Sequence, residues 1–318
     1  MVKIFLKVIF VKNIEMQFLL YIIAYPFLWC ISILPFPLFY FLSDCTYVVV
    51  YHLVGYRKKT VRDNIALTLP HLSKEERIRI EKKFFKHMCD MFLEMIKTMT
   101  ISEAEMKKRF VFTNIEMVRE MEKKNKSIIM MCAHYASWEW LIILDKYIDF
   151  RTFAVYKKIQ NKYFDKLIRD IRSHFNATLI EAKETVDVIR KNEINNIKGF
   201  YGFASDQSPQ LHRTNYFDTF MGINVPVFTG AEMLAKKMDL SLVFVKVQKV
   251  KRGHYQATFV PLVENPKEVP NYQITSMYLR MVEEQIHEAP EYYLWTHKRW
   301  KHRDKQSLKS PRIKKALN

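Results

Sequence analysis

From Met16 to Ser43 the sequence carries no charged residue, a run of 28 positions beginning MQFLLYIIAYPFLWCISILPFPLFYFL. A helix needs about 20 apolar residues to cross the hydrocarbon core of a bilayer, so this run is long enough to do so. It is too long for the apolar part of a cleaved secretion signal, and no small-x-small site follows it, so it reads as a retained anchor. Pro26 would kink a helix here, while Pro35 and Pro37 would end one. A helix spanning about 16–34 and a hairpin dipping into one leaflet both satisfy the pattern; the span is the reading adopted, with residues 1–45 as the anchor. Lys3, Lys7 and Lys12 before the run speak against a buried core helix. Basic residues also follow in YRKKTVR at Tyr56–Arg62, so the inside-positive rule leaves the orientation open.

The remainder reads as a globular domain. Apolar residues are 49% and charged residues 26% of the 318, which excludes a disordered chain and a polytopic membrane protein. The formal net charge of +18 should attract an anionic partner. Of six glycines only Gly55 precedes position 199, and no GxGxxG, GxxxxGK or GxSxG occurs, so a phosphate-cradling glycine loop is excluded as the basis of function. RNP-type aromatic strands, zinc spacings and a helix-turn-helix pattern are missing too, and no nucleic-acid partner is expected. Cys30, Cys45, Cys89 and Cys132 form no CxxC pair and read as small buried hydrophobes in a reducing compartment.

Ser73 and Glu76 have the spacing of a capping box and predict a helix to about Met99. Its apolar residues recur every three to four positions, from Ile78 to Met95, and this methionine-rich stripe is expected to be core. Beyond about Lys126, short apolar runs alternate with helical patterns. Ser127–Cys132, Thr152–Tyr156, Thr178–Ile180, Gly199–Ala204, Leu240–Val247 and Tyr255–Val260 read as strands, with helices near 137–147, 161–174, 183–194, 229–238 and 271–288. The alternation implies an α/β fold with a largely parallel central sheet flanked by helices, and ligands collect at the carboxyl ends of such strands. The domain is placed at 46–303, followed by a basic tail at 304–318. From His297 to Asn318 there are nine Lys/Arg against one acid, which should favour anionic lipid.

Three strand ends carry residues fit for chemistry. His134 follows SIIMMC after Ala133, and Ser137 is a plausible N-cap for the helix beginning at Trp138. Residues five apart on one helix would be rotated about 140° from each other, but His134 in the loop and Glu139 in the first turn can meet. The helix N-terminus favours an ionised Glu139, which would fix the tautomer of a histidine that takes a proton. Asp206 and Gln207 stand in the turn after Gly199–Ala204. Tyr156, Lys157 and Lys158 end a third strand, with Asn161 before a helix carrying Arg169 and Arg172; cations there could hold phosphate.

These segments, in this order, resemble the late acyltransferases of lipid A biosynthesis, within the lysophospholipid acyltransferase superfamily and its His-x4-Asp/Glu motif. The resemblance runs from about Lys126 to Arg303. It comprises His134-x4-Glu139, VYKK at Tyr156 and Lys157, Arg172 in IRSHFNA, and ASDQSP at Asp206. FMGINVPVFTGAEMLAKK follows, with Gly222, Pro226, Thr229 and Gly230, and then PEYYLWTHKRWK with Trp295, His297, Arg299 and Trp300. Lys157 stands where an arginine is common, which loses the bidentate fork, and Asn176 replaces a frequent glycine, which should matter only to a turn.

The resemblance implies a glycerolipid acyltransferase-like fold and acyl transfer from a thioester to a hydroxyl of a lipid A precursor, without metal or organic cofactor. His134 would be the general base and Glu139 its orienter. Arg172, Asp206, Tyr156 and Lys157 would bind the oxyanion or a substrate phosphate, and Asn161, Gln207, Thr229 and Gly230 are further substrate-binding candidates. The donor implied is acyl carrier protein, or a coenzyme A thioester, and the place implied is a Gram-negative inner membrane with the catalytic domain in the cytoplasm. A lysophospholipid, an aminolipid or another glycolipid is the alternative acceptor. From another class, a non-enzymatic basic protein that binds membrane surfaces or polyanions also fits the charge.

Overall fold

Every backbone N–H and C=O of an apolar helix must be satisfied internally, and a proline cannot continue the ladder. In the computed structural model, which describes residues 14–214 and 216–305, Pro35 accordingly divides the uncharged run into two helices, Ile14–Ile33 and Phe36–Tyr47. The second continues through a wider π-helical stretch, Val48–Val54, and stops at Gly55 with a left-handed φ of 62°. The uncharged run, read as one spanning helix, thus holds two helices, each a candidate membrane span. Pro37 does not end a helix, because it sits in the first turn of the second one, where no intrahelical N–H is required. Glu15–Ile33 and Phe36–Val54 are both long and apolar enough to cross a membrane, and the second passes well beyond residue 45. Both expose large apolar side chains, among them Phe18, Ile23, Phe27, Phe41 and Leu53. Cys30 and Cys45 lie exposed on these helices rather than buried as expected, whereas Cys89 and Cys132 are buried.

The two helices are fastened to the domain by polar contacts. Lys97 Nζ donates to the carbonyls of Ser32 and Leu34 at 2.6 and 2.7 Å, which caps the end of the first helix. Lys97 closes the long helix Lys74–Lys97, which opens with the capping box: Ser73 Oγ accepts from Glu76 N–H and Glu76 returns the bond to Ser73 N–H. The apolar stripe of that helix is core at Phe84, Phe85 and Met91. Met88, Phe92 and Met95 also line the main cavity, so the stripe is more than filling.

The described residues contribute nine strands: β1 Phe110–Phe112, β2 Ile128–Cys132, β3 Arg151–Tyr156, β4 Thr178–Glu181, β5 Gly199–Ala204, β6 Phe217–Phe220, β7 Ile223–Pro226, β8 Ser241–Lys251 and β9 His254–Val263. Seven form one sheet in the order β1-β9-β8-β2-β5-β3-β4, and β6 pairs with β7 in a separate hairpin. All neighbours in the large sheet are parallel except the β8–β9 hairpin. The sheet is therefore α/β as expected, with helices Lys162–Arg172, Thr185–Ile194, Gly230–Met238 and Gln273–Glu288 between or after its strands. The helix expected near 137–147 is a tighter 3-10 helix over Trp138–Lys146. Asn176 adopts φ 76°, the conformation for which glycine is favoured and asparagine tolerated. Central β2 is buried at all five positions, as a strand covered on both faces must be.

Candidate active site

The register between β2 and β5 builds the site. Cys132 at the end of β2 pairs with Ala204 at the end of β5. His134 and Asp206 each lie two residues beyond those partners, so parallel strands deliver them side by side. Asp206 Oδ1 accepts from His134 Nδ1 at 2.7 Å and from the His134 backbone N–H at 3.2 Å. Asp206 is 1% exposed, while the His134 side chain keeps 21% of its surface. Burial pushes the Asp206 carboxyl up, but the charge and hydrogen bonds of His134 outweigh it and hold it below its ordinary 3.8. With Nδ1 engaged, Nε2 is the ring atom left to meet a ligand. Trp138 packs edge-on against the imidazole, with ring centroids 5.2 Å apart.

Glu139 does not sit on His134 Nδ1 as the spacing suggested. It turns to Arg172, whose Nε reaches Glu139 Oε2 at 2.7 Å and whose Nη2 reaches Oε1 at 2.5 Å. The two-pronged guanidinium matches a carboxylate better than a single imidazole N–H does, and this geometry decides the pairing. Burial raises the Glu139 carboxyl, yet Arg172 more than compensates and the net shift is downward. Trp138 Nε1 also donates to Glu139 Oε1, at 3.1 Å, so the Glu139–Arg172 pair supports the residue that packs on His134. Arg172, expected to meet an oxyanion or phosphate, thus has two of its donors engaged by Glu139.

His134, Trp138, Glu139 and Arg172 all line a cavity of about 2120 Å³. One part of its wall is apolar: Leu20, Ile23, Phe27 and Leu28 from the first helix, with Met88, Phe92 and Met95. Another part is basic, with Lys157, Lys158, Lys183, Lys236, Lys237 and Lys301. Tyr156, Gln207, Thr229 and Gly230 line it too. Tyr156 is largely buried, and its hydroxyl points to Asp165 Oδ2 at 3.5 Å. Asn161 is fully buried and caps the Lys162–Arg172 helix, its Oδ1 accepting from the N–H groups of Tyr163 and Phe164; it does not line the cavity. The cavity thus brings together nine of the ten candidate residues if Asp206 is counted through its bond to His134.

The profile of one family, bacterial lipid A biosynthesis acyltransferase, matches residues 10–302. The chain belongs to this family. It is similar to the lipid A biosynthesis palmitoleoyltransferase of Escherichia coli strain K12, at 23% identity over 290 residues, covering 87% of this chain and 89% of that relative. The lipid A biosynthesis lauroyltransferase of the same organism is 24% identical over 288 residues, with the same coverage. A lipid A biosynthesis acyltransferase of Shigella flexneri is 23% identical over 290 residues. The resemblance drawn from His134-x4-Glu139 and the closing segment therefore holds: the protein is an O-acyltransferase of a membrane-associated lipid A family. In this acyltransferase fold the motif histidine and the motif acid serve two neighbouring pairs, His134–Asp206 and Glu139–Arg172. The register of β2 and β5 was the signal for the first pair, because equal offsets past paired strand ends place two side chains together.

Proposed function

We propose that the protein transfers a fatty acyl group from acyl carrier protein to a hydroxyl of a lipid A precursor, with His134 as general base. The observation that carries this reading is that His134, held from behind by buried Asp206, stands in the wall of a cavity that is apolar on one side and basic on another. The apolar wall suits an acyl chain, and the lysines suit a phosphorylated acceptor and an acidic carrier. Asp206 holds a proton on His134 Nδ1, which leaves the Nε2 lone pair to take the acceptor's hydroxyl proton as its oxygen attacks the thioester carbon. The C–O bond forms, the C–S bond breaks, and the imidazolium returns its proton to the departing thiolate. These steps call for no metal, organic cofactor or acyl-enzyme. Because acyl carrier protein is cytoplasmic, we place the domain on the cytoplasmic side of the inner membrane, the exposed apolar faces of the first two helices meeting lipid.

Detergent-purified protein supplied with acyl carrier protein bearing mixed chain lengths, a lipid A precursor and a competing lysophospholipid tests the reading by product mass. One acyl group added to the lipid A precursor, lost in His134→Ala, is the expected result. Acylation of the lysophospholipid alone would move the acceptor to phospholipids; polyanion binding without any transfer would favour a non-enzymatic role.

A further inference from the structure

The segment from Pro290 to Arg303 lies over the His134 loop. Tyr293 forms an antiparallel bridge with Tyr135. Leu294 N–H donates to the His134 carbonyl at 3.1 Å, and Ala136 N–H donates to the Tyr292 carbonyl at 3.0 Å. The chain then turns back, His297 N–H donating to the Leu294 carbonyl at 3.2 Å. The His297 carbonyl accepts from Asn64 Nδ2 at 2.8 Å and from Arg299 N–H at 2.9 Å. The backbone of His297 is therefore fixed to both the His134 loop and the Lys58–Thr68 helix. Its side chain lines the same cavity as His134.

The ring has two unlike edges. Nδ1 is buried and has no hydrogen-bond partner among the described residues. A buried N–H without an acceptor is rarer and costlier than a lone pair without a donor, so the ring proton belongs on Nε2. Burial pushes the His297 pKa down to about 4; Asp206 opposes this, while His134, Arg299 and Lys301 reinforce it. The imidazole is consequently neutral at ordinary pH and offers one N–H donor without competing with His134 for a proton. Attack on a thioester places negative charge on the carbonyl oxygen, which needs such a donor. Arg172 has two of its donors on Glu139.

We infer that His297 is a further catalytic residue, whose Nε2–H donates to the carbonyl oxygen of the acyl thioester and holds the oxyanion formed on attack. The inference rests on the reading of His134 as base. As the acceptor oxygen bonds to the carbonyl carbon, the C=O electron pair moves onto the oxygen held by His297, and the hydroxyl proton moves to His134. Collapse restores C=O, expels the thiolate and returns that proton to sulfur; His297 keeps its own proton throughout.

The test is steady-state acyl transfer by wild type, His297→Ala, His297→Gln and His134→Ala, with thermal melts of each. His297→Ala is expected to lose about 10²- to 10³-fold in kcat, the size seen on removing one oxyanion donor, with KM little changed. His297→Gln, which keeps an N–H donor at a similar reach, should recover much of that loss. Where the alanine protein melts early, His297→Leu fills the space without a donor and supplies the same comparison. A folded His297→Ala or His297→Leu protein with kcat near wild type, a glutamine variant as slow as alanine, or a change confined to KM would overturn the inference. A His134→Ala protein as fast as wild type would overturn the base reading beneath it.

Discussion

Two clusters of charge are buried in this protein, made from similar residues and put to different uses. In one, Asp90 accepts from Ser43 Oγ at 2.7 Å, Arg252 Nη2 at 2.6 Å and Lys249 Nζ at 3.5 Å. Beside it Glu94 accepts from the hydroxyls of Tyr40 at 2.9 Å and Tyr255 at 2.8 Å. In the other, Asp206 meets His134 and Glu139 meets Arg172. Burial raises Glu94 to about 7, yet none of Asp90, Glu94, Lys249 and Arg252 lines the cavity. A perturbed carboxyl is therefore a poor guide to chemistry here. What separates the clusters is that the first is closed on protein donors alone, away from the cavity, and joins the second apolar helix to the β8–β9 hairpin. The second leaves His134 Nε2 free of that pairing and beside a cavity.

If that difference is the right one, substitutions in the two clusters should split activity from stability. The largest effect belongs to His134→Ala, which should lower acyl transfer by about 10²- to 10⁴-fold with an unchanged melting temperature, measured as kcat in detergent. Asp206→Asn should come close behind, because an amide no longer enforces the productive tautomer; its kcat should fall by about 10²-fold or more while the lipid acceptor still binds. Asp90→Asn should do the reverse. It leaves Lys249 and Arg252 short of a buried counter-charge, so unfolding free energy should drop by about 3 kcal/mol while turnover per folded molecule holds.

Glu139→Gln tests the second pair of the site cluster. It leaves the half-buried Arg172 without its carboxylate partner, and Glu139→Gln combined with Arg172→Gln should recover part of the stability that either single change loses, by about 1–3 kcal/mol in a double-mutant cycle. A pH dependence follows as well. His297 has its pKa lowered from 6.5 to about 4, so the unfolded chain takes up a proton in that window and the folded one does not. Its contribution to stability is present above 6.5 and declines as pH falls towards 4, whereas Glu94, raised from 4.5 to about 7, contributes with the opposite sign between those values. Melts of His297→Gln should accordingly lose less stability than wild type between pH 6.5 and 4.

The parallel sheet was legible because β2, β3, β5 and β8 are short apolar runs separated by helical periods, and the capping box at Ser73 and Glu76 names its helix start outright. β1 escaped because three residues, Phe110–Phe112, carry no period. The β6–β7 hairpin escaped because its turn is Met221-Gly222, both at positive φ, and methionine is not among the residues that announce such a turn. Two apolar helices looked like one since Pro35 both ends and begins a helix. The basic tail expected to favour lipid lies largely in residues 306–318, outside the described residues. In the site, local spacing suggested that His134 and Glu139 meet, whereas the partner of His134 is set by a pairing 72 residues away that only the sheet order reveals.

In the proposed mechanism Asp206 holds a proton on His134 Nδ1 and so keeps Nε2 ready as a base. Nitrogen-15 spectra of histidine-labelled protein, with His134 assigned by its loss in His134→Ala, test it directly. The expected spectrum shows His134 with Nδ1 protonated and Nε2 bare, a state kept in Glu139→Gln and lost in Asp206→Asn. A His134 protonated on Nε2 in the wild type, or a tautomer that follows Glu139 instead of Asp206, would contradict it.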